Sequence, residues 1–152
     1  MAARNLLTDI RLSLSRNELR PVYSVATERR RITNTSFQIE DMQTISGRDN
    51  LGQAIIIRLL TPRGELAALA HPDYGSRLHE LVGRQNTETS RNLAKLYILE
   101  SLKNEPRIAE VVEVRVTPTP GTRDMINVFL RVKPVGDAEI VTIGTFTLEL
   151  GI

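Results

Sequence analysis

Cysteine is absent from this chain of 152 residues, which excludes disulfides and thiolate metal sites and is compatible with a reducing compartment. Tryptophan is absent as well, and aromatics make up only 4%. The core must therefore be aliphatic, and stacking on nucleic-acid bases has few residues to draw on. No apolar run approaches the roughly 20 residues of a membrane-spanning helix, so no membrane insertion is expected. Asp9 and Arg11 arrive before any long apolar stretch forms, and no secretory leader is expected. A glycine-rich phosphate loop, a nucleophile elbow and a cysteine nucleophile are all missing, so no cofactor is expected. Lysine is scarce, at three residues against 17 arginines. Arginine suits interfaces, because its planar and weakly hydrated group pairs well, although codon bias gives the same skew.

The positive features describe one domain of ordinary size, 41% hydrophobic and 25% charged. Net charge is +2 and uneven: residues 1–40 carry seven arginines against four acids, while residues 41–152 carry 13 basic residues against 14 acids. An N-terminal arm, residues 1–40 and partly extended, is expected ahead of a domain at 41–152. Leu6, Leu7, Ile10 and Leu14 recur at roughly helical spacing and suggest a short amphipathic helix, which Pro21 interrupts. Glu28-Arg29-Arg30-Arg31 reads as a solvated loop or as a tail that orders on an acidic partner. Asn34 to Ser46 reads as an irregular lead-in anchored by Phe37, Ile39 and Met42.

Asp49 or Asn50 can cap a helix over Leu51–Leu60, although Ile55-Ile56-Ile57 also suits a strand. Thr61-Pro62-Arg63-Gly64 and His71-Pro72-Asp73-Tyr74-Gly75-Ser76 are turns. A short helix follows with Leu78, Leu81 and Val82 on one face. A third helix, capped by Asn86 or Thr87, buries Ala94, Tyr97, Ile98 and Leu102. From Ile108 the period changes to two. Val112, Val114 and Val116 form one buried face, and Ile126, Val128, Leu130 and Val132 form another. In the last strand Val141 and Ile143 share one parity, while Phe146, Leu148 and Leu150 share the other. The slip at Gly144 suits a β-bulge. The expected fold is α+β: about three helices, then a three-stranded antiparallel β-meander with an exposed C-terminal edge strand.

Catalytic constellations are thin. His71 and His79 stand eight apart across a turn, not four apart on a helix face, and further metal ligands are not supplied. Glu65, Asp73 and Glu105 are available to a hydrolase, but nothing in the sequence pairs any two across a cleft. Arg29 to Arg31 are the one segment that supports nucleic-acid binding. Asn104-Glu105-Pro106-Arg107 is the most informative stretch. The proline forces a bend between helix and strand, where Glu105 and Arg107 can point away from both, and an arginine fork there suits capture of a carboxylate or backbone carbonyls.

Asn50-Leu51-Gly52-Gln53-Ala54-Ile55, Leu60-Thr61-Pro62-Arg63-Gly64-Glu65, Pro72-Asp73-Tyr74-Gly75-Ser76 and Glu105-Pro106-Arg107 occur in this order ahead of the meander. In that order and spacing, over about Asp41 to Leu150, the chain resembles the baseplate wedge, or sheath-initiator, proteins of contractile tails. These occur in contractile phages, extracellular contractile injection systems and type VI secretion. Leu66 and Asn104 depart from the family, which often has arginine and an aromatic there. Some members carry a lysozyme name, but the residues above supply no site for that activity, and no enzyme is expected.

The resemblance implies a structural role, assembled in the cytoplasm, with six copies in a baseplate. Glu105, Pro106 and Arg107 would clamp a helical bundle of larger wedge proteins. Thr61, Pro62, Gly64, Pro72, Asp73 and Gly75 would shape the turns. Val141, Ile143, Phe146, Leu148 and Leu150 would pair with strands of the sheath protein. The central hub or tube is a further expected neighbour, whereas nucleic acid, cofactor and metal are not expected. The last strand gives a physical reason: between Glu139 and Leu150 it carries two acids and no proline, so its open edge is not blunted.

Overall fold

The computed structural model describes residues 7–14, 23–31 and 38–151. Leu6, Pro21 and Phe37, together with the side chains of Leu14 and Ile39, lie outside the described residues. The architecture is α+β, with two α-helices and nine strands in four sheets among the described residues.

The first six strands form three antiparallel two-stranded ladders. Strand β1 (Thr8–Ile10) pairs with β6 (Thr44–Ser46), β2 (Leu12–Leu14) with β3 (Tyr23–Val25), and β4 (Thr27–Arg31) with β5 (Gln38–Met42). Three linking residues join the ladders in a cycle of backbone bonds: Arg11 N donates to Gln43 O, Gln43 N to Ala26 O, and Ala26 N to Arg11 O, all at 2.8–2.9 Å. The short helix expected around Leu7, Ile10 and Leu14 is therefore strand. Ile10, Leu12 and Leu14 also alternate with Arg11 and Ser13, and the period of two prevails because β1 and β2 each find a partner strand. The irregular lead-in expected over Asn34–Ser46 contains β5 and β6, and Met42 is 53% exposed rather than an anchor.

Helix α1 (Gly47–Leu60) resolves the ambiguity of the isoleucine run. It begins earlier than expected, with Ser46 at the N-cap and neither Asp49 nor Asn50 there. Gln53 ties α1 to the first ladders, accepting from Leu12 N and donating to Ile10 O, both at 2.9 Å. The second expected helix is only a 3₁₀ turn over Leu78–Leu81, with Leu78 and Leu81 buried and Val82 41% exposed. Helix α2 (Glu88–Leu102) is capped by Thr87, whose Oγ1 accepts from Ser90 N at 3.2 Å, and buries Ala94, Tyr97, Ile98 and Leu102.

Strands β7 (Ile108–Pro118), β8 (Met125–Pro134) and β9 (Val141–Glu149) form an antiparallel meander with β8 in the centre. Ile126, Val128, Leu130 and Val132 of β8 are fully buried, and the core gathers on this face against Leu51, Ile55 and Leu59 of α1 and the buried stripe of α2. Register shifts set which side chains reach that core. In β7 the pairing moves from Val111↔Val132 to Glu113↔Arg131, leaving Val112 as an extra residue. Val112 is accordingly 39% exposed, and Val111 packs on the core in the place the simple alternation assigned to Val112. In β9 the pairing moves from Phe129↔Thr145 to Arg131↔Thr142, so the extra residue falls at Ile143-Gly144, where the sequence parity slips. That bulge lets Val141 and Ile143 on one parity, and Leu148 on the other, all point inward.

This register is checked by paired substitutions. Val111→Asp places a charge against the core and should cost about 2 kcal/mol or more, whereas Val112→Asp should stay within about 1 kcal/mol, read by urea denaturation.

Candidate functional site

The geometry converges on Glu105. Helix α2 ends at Leu102, and Glu105 N and Ile108 N close successive turns on Leu102 O and Glu105 O before β7 starts. Pro106, exposed at the centre of this bend, has no N–H to contribute. Glu105 does not point away from its neighbours as the sequence suggested: it is 5% exposed and its carboxylate turns inward. Oε1 accepts from Arg107 Nε at 2.7 Å and from Arg107 N at 3.3 Å. Oε2 faces Nη2 of Arg58 at 3.2 Å, from the last turn of α1. The result is one carboxylate between two guanidinium groups, two of the three being buried.

Arg58 is 7% exposed, and its guanidinium lies over the ring of Tyr74 at 4.5 Å from the centroid. Its Nε is buried without a hydrogen-bond partner among the described residues. Arg107 has 21% of its side chain exposed, and beyond Nε its guanidinium nitrogens bond to none of the described residues. Arg107 is thus the partly exposed member of an otherwise buried brace.

The two turn motifs place Tyr74. They are zipped by a parallel bridge between Pro62 and Ser76, in which Ser76 N donates to Thr61 O and Arg63 N to Ser76 O, both at 2.9 Å. Gly75 has φ +103°, and a Cβ there would sit 2.3 Å from Thr61 O, so no other residue fits. Ser101 Oγ of α2 donates to Gly75 O at 2.8 Å, and Ser76 Oγ donates to Leu59 O of α1 at 2.5 Å. Thr61 Oγ1 closes α1 by donating to Ile57 O, while Gly64 at φ +91° turns the chain and Pro72 and Asp73 lie exposed on the surface. Behind this loop Tyr23 is pushed up to about 12, first by burial and then by neighbouring Tyr74 and Glu65.

Sequence reasoning found Glu105, Pro106, Arg107 and the turns, but missed Arg58. The signal was present: Arg58 falls seven residues after Leu51, on the buried face of α1, inside the apolar run Ala54–Leu60. The other candidates stay apart from this cluster. Among the described residues no group of three or more His, Asp or Glu stands close enough to hold a metal ion. Arg30, in β4 rather than in the expected loop, is exposed and pairs with Glu28 of its own strand at 3.8 Å and with Asp41 of β5 at 3.4 Å. No helix among the described residues is long and apolar enough to cross a membrane.

The second candidate surface is the outer edge of β9. Leu150 N donates to Asp124 O at 2.6 Å, so alternation turns the backbone groups of Glu149 and Thr147 to the opposite side. No strand among the described residues pairs with that side. Val141, Thr142 and Ile143, at the start of the strand, line a cleft with Arg11, Leu12 and Ile45.

The described residues thus present two features of note, a braced arginine at the Glu105 bend and a β9 edge with no described strand beside it. The chain belongs to the contractile injection system sheath initiator family, whose model matches residues 27–133. It is therefore a structural component of a contractile injection system, associated with sheath and baseplate. The match starts before Asp41 and stops before β9, a different span from the one the motifs suggested. In fold the chain is similar to a protein of Geobacter sulfurreducens provisionally named a tail lysozyme, with a crystal structure at 1.44 Å. Identity is 22%, the TM-score is 0.57, and the likeness covers 66% of this chain and 88% of that one. A comparison with curated proteins gave no match.

The charge balance at Glu105 has a pH signature. Burial pushes its pKa up, but the hydrogen bond from Arg107 and the attraction of Arg107 and Arg58 outweigh burial and hold it below the ordinary value of 4.5. A carboxyl with a lower pKa folded than unfolded stabilises the fold above its unfolded value, and that contribution is lost as pH falls through the folded value. Stability should therefore decline below about pH 4.5, and Glu105→Gln should flatten part of that decline in thermal melts from pH 7 to 3. Glu80, Glu113 and Asp137 are lowered too, by surface arginines and hydrogen bonds, and supply the part that remains.

Proposed function

We propose that this protein joins baseplate wedges to the contractile sheath. The wedge-facing contact is the bend at Glu105, Pro106 and Arg107, which grips a helical bundle of larger wedge proteins. Arg107 makes the direct contact, because its fork carries free donors. Glu105 works from beneath, being buried. Thr61, Pro62, Gly64, Pro72, Asp73 and Gly75 shape the loop that supports this bend. The sheath-facing contact is β9, from Val141 through Ile143, Phe146 and Leu148 to Leu150. There a sheath strand adds to the open edge through backbone bonds, with alternate side chains setting register. Six copies around the hub or tube, assembled in the cytoplasm, complete the reading.

The observation that carries it is the outer side of β9, which pairs with no strand among the described residues, in a chain of the sheath initiator family. A hydrolytic role gains no support from the site. A general acid needs a raised pKa, and Glu105 is held in the opposite direction by two arginines.

Two outcomes test the reading. Arg107→Ala should weaken binding of the wedge protein by about 2–5 kcal/mol where the pair is buried, measured by calorimetry, and wild-type affinity would end the clamp. For the strand, deletion of residues 141–152 is a poor test, because it also removes Val141, Ile143, Leu148 and Leu150 from the core. Thr147→Pro is cleaner, since its N–H faces the open side and proline is tolerated there. That variant should fold and bind wedge protein yet give baseplates without sheath in electron micrographs. Sheath of normal length would refute strand addition at β9.

A further inference from the structure

We propose that Arg58 is the positioning residue of the Arg107 fork, acting through Glu105. The proposal rests on the reading of Arg107 as the wedge contact and adds what aims it. Glu105 makes separate contacts with its two oxygens: Oε2 to Arg58 Nη2 at 3.2 Å, and Oε1 to Arg107 Nε at 2.7 Å and Arg107 N at 3.3 Å. A carboxylate held at both ends cannot rotate, so the direction of Arg107 Nε–H is fixed by where Arg58 stands.

Arg58 is itself fixed by two rigid elements. Its backbone is in the last turn of α1, and its guanidinium lies on the Tyr74 ring at 4.5 Å. Tyr74 is held by the bridge between Pro62 and Ser76 and by the crowded backbone at Gly75. The Pro-Asp-Tyr-Gly turn thus touches the Glu-Pro-Arg bend through one arginine from a third segment. Lysine cannot substitute, because an ammonium is a point charge with no plane to stack and no fork to orient a carboxylate.

The test follows Arg107 directly, in the full chain, by nitrogen-15 spectroscopy of arginine Nε–H groups. In the wild type the Arg107 Nε–H should be resolved and slow to exchange with water. In Arg58→Met it should exchange at least about tenfold faster, with the backbone spectrum otherwise intact. An unchanged Arg107 signal in a folded Arg58→Met protein overturns the proposal. If Arg58→Met does not fold, Arg58→Lys keeps the charge and is read by the same two outcomes.

Binding of purified wedge protein then separates positioning from general support. Arg58→Lys should weaken binding about tenfold when Arg107 is present and less than twofold in an Arg107→Ala background. Equal losses in both backgrounds overturn positioning. Wild-type affinity of Arg107→Ala alone ends the clamp reading, and the role of Arg58 is then decided by the Arg107 exchange rate.

Discussion

Among the described residues one carboxylate, Glu105, is buried, held as the charged form by two arginines, and the surrounding structure is arranged around that constraint. An unpaired buried carboxylate costs several kcal/mol, so the fold must bring cations to it. It brings Arg58 from α1 and Arg107 from the β7 side of the bend, while the Pro72–Gly75 turn lays Tyr74 against Arg58. Three segments distant in sequence meet at one group. Replacing a buried ion pair with apolar residues is often neutral or stabilising, so stability alone does not account for this arrangement. An apolar cluster would leave the partly buried Arg107 guanidinium without its carboxylate.

The sheet solves a different problem. A two-faced strand would either bury one parity or the other, but β9 must use both to reach the core. The bulge at Ile143-Gly144 reconciles them, because an extra residue flips the side-chain direction once. The same device in β7 expels Val112 and seats Val111. Inner positions are thereby filled by Val, Ile and Leu, and the outer face is left to pairs such as Arg115 over Phe129 at 4.9 Å and Arg115 with Glu113 at 2.6 Å.

Much of this was legible in the residues. The change from period 3.6 to period two at Ile108, the parity slip at Gly144, the cap at Thr87 and the turn motifs each reflect a local physical rule, so the α+β class and the C-terminal meander could be read. The N-terminal ladders could not, because Ile10 and Leu14 fit a helical spacing with Leu7 and a strand alternation with Leu12 at once, and only the partner strands decide between them. Likewise the inward turn of Glu105 depends on Arg58, 47 positions earlier in the numbering. Burial of that kind is a property of the assembled fold. A lone arginine in an apolar helix run was the available hint.

The bridge between Pro62 and Ser76 makes the intervening chain a loop with its ends clasped. Between the clasps, Arg63 pairs with Glu100 of α2, Tyr74 lies against Arg58 of α1, and Leu69 and Ala70 are exposed. Doubling such a loop costs only about 0.6 kcal/mol in closure entropy. Insertions and deletions in related chains should therefore collect between Gly64 and His71, and the segments on either side should keep their length. Length changes there would alter the exposed surface while leaving the Arg58–Tyr74 contact and the bend at Glu105 in place.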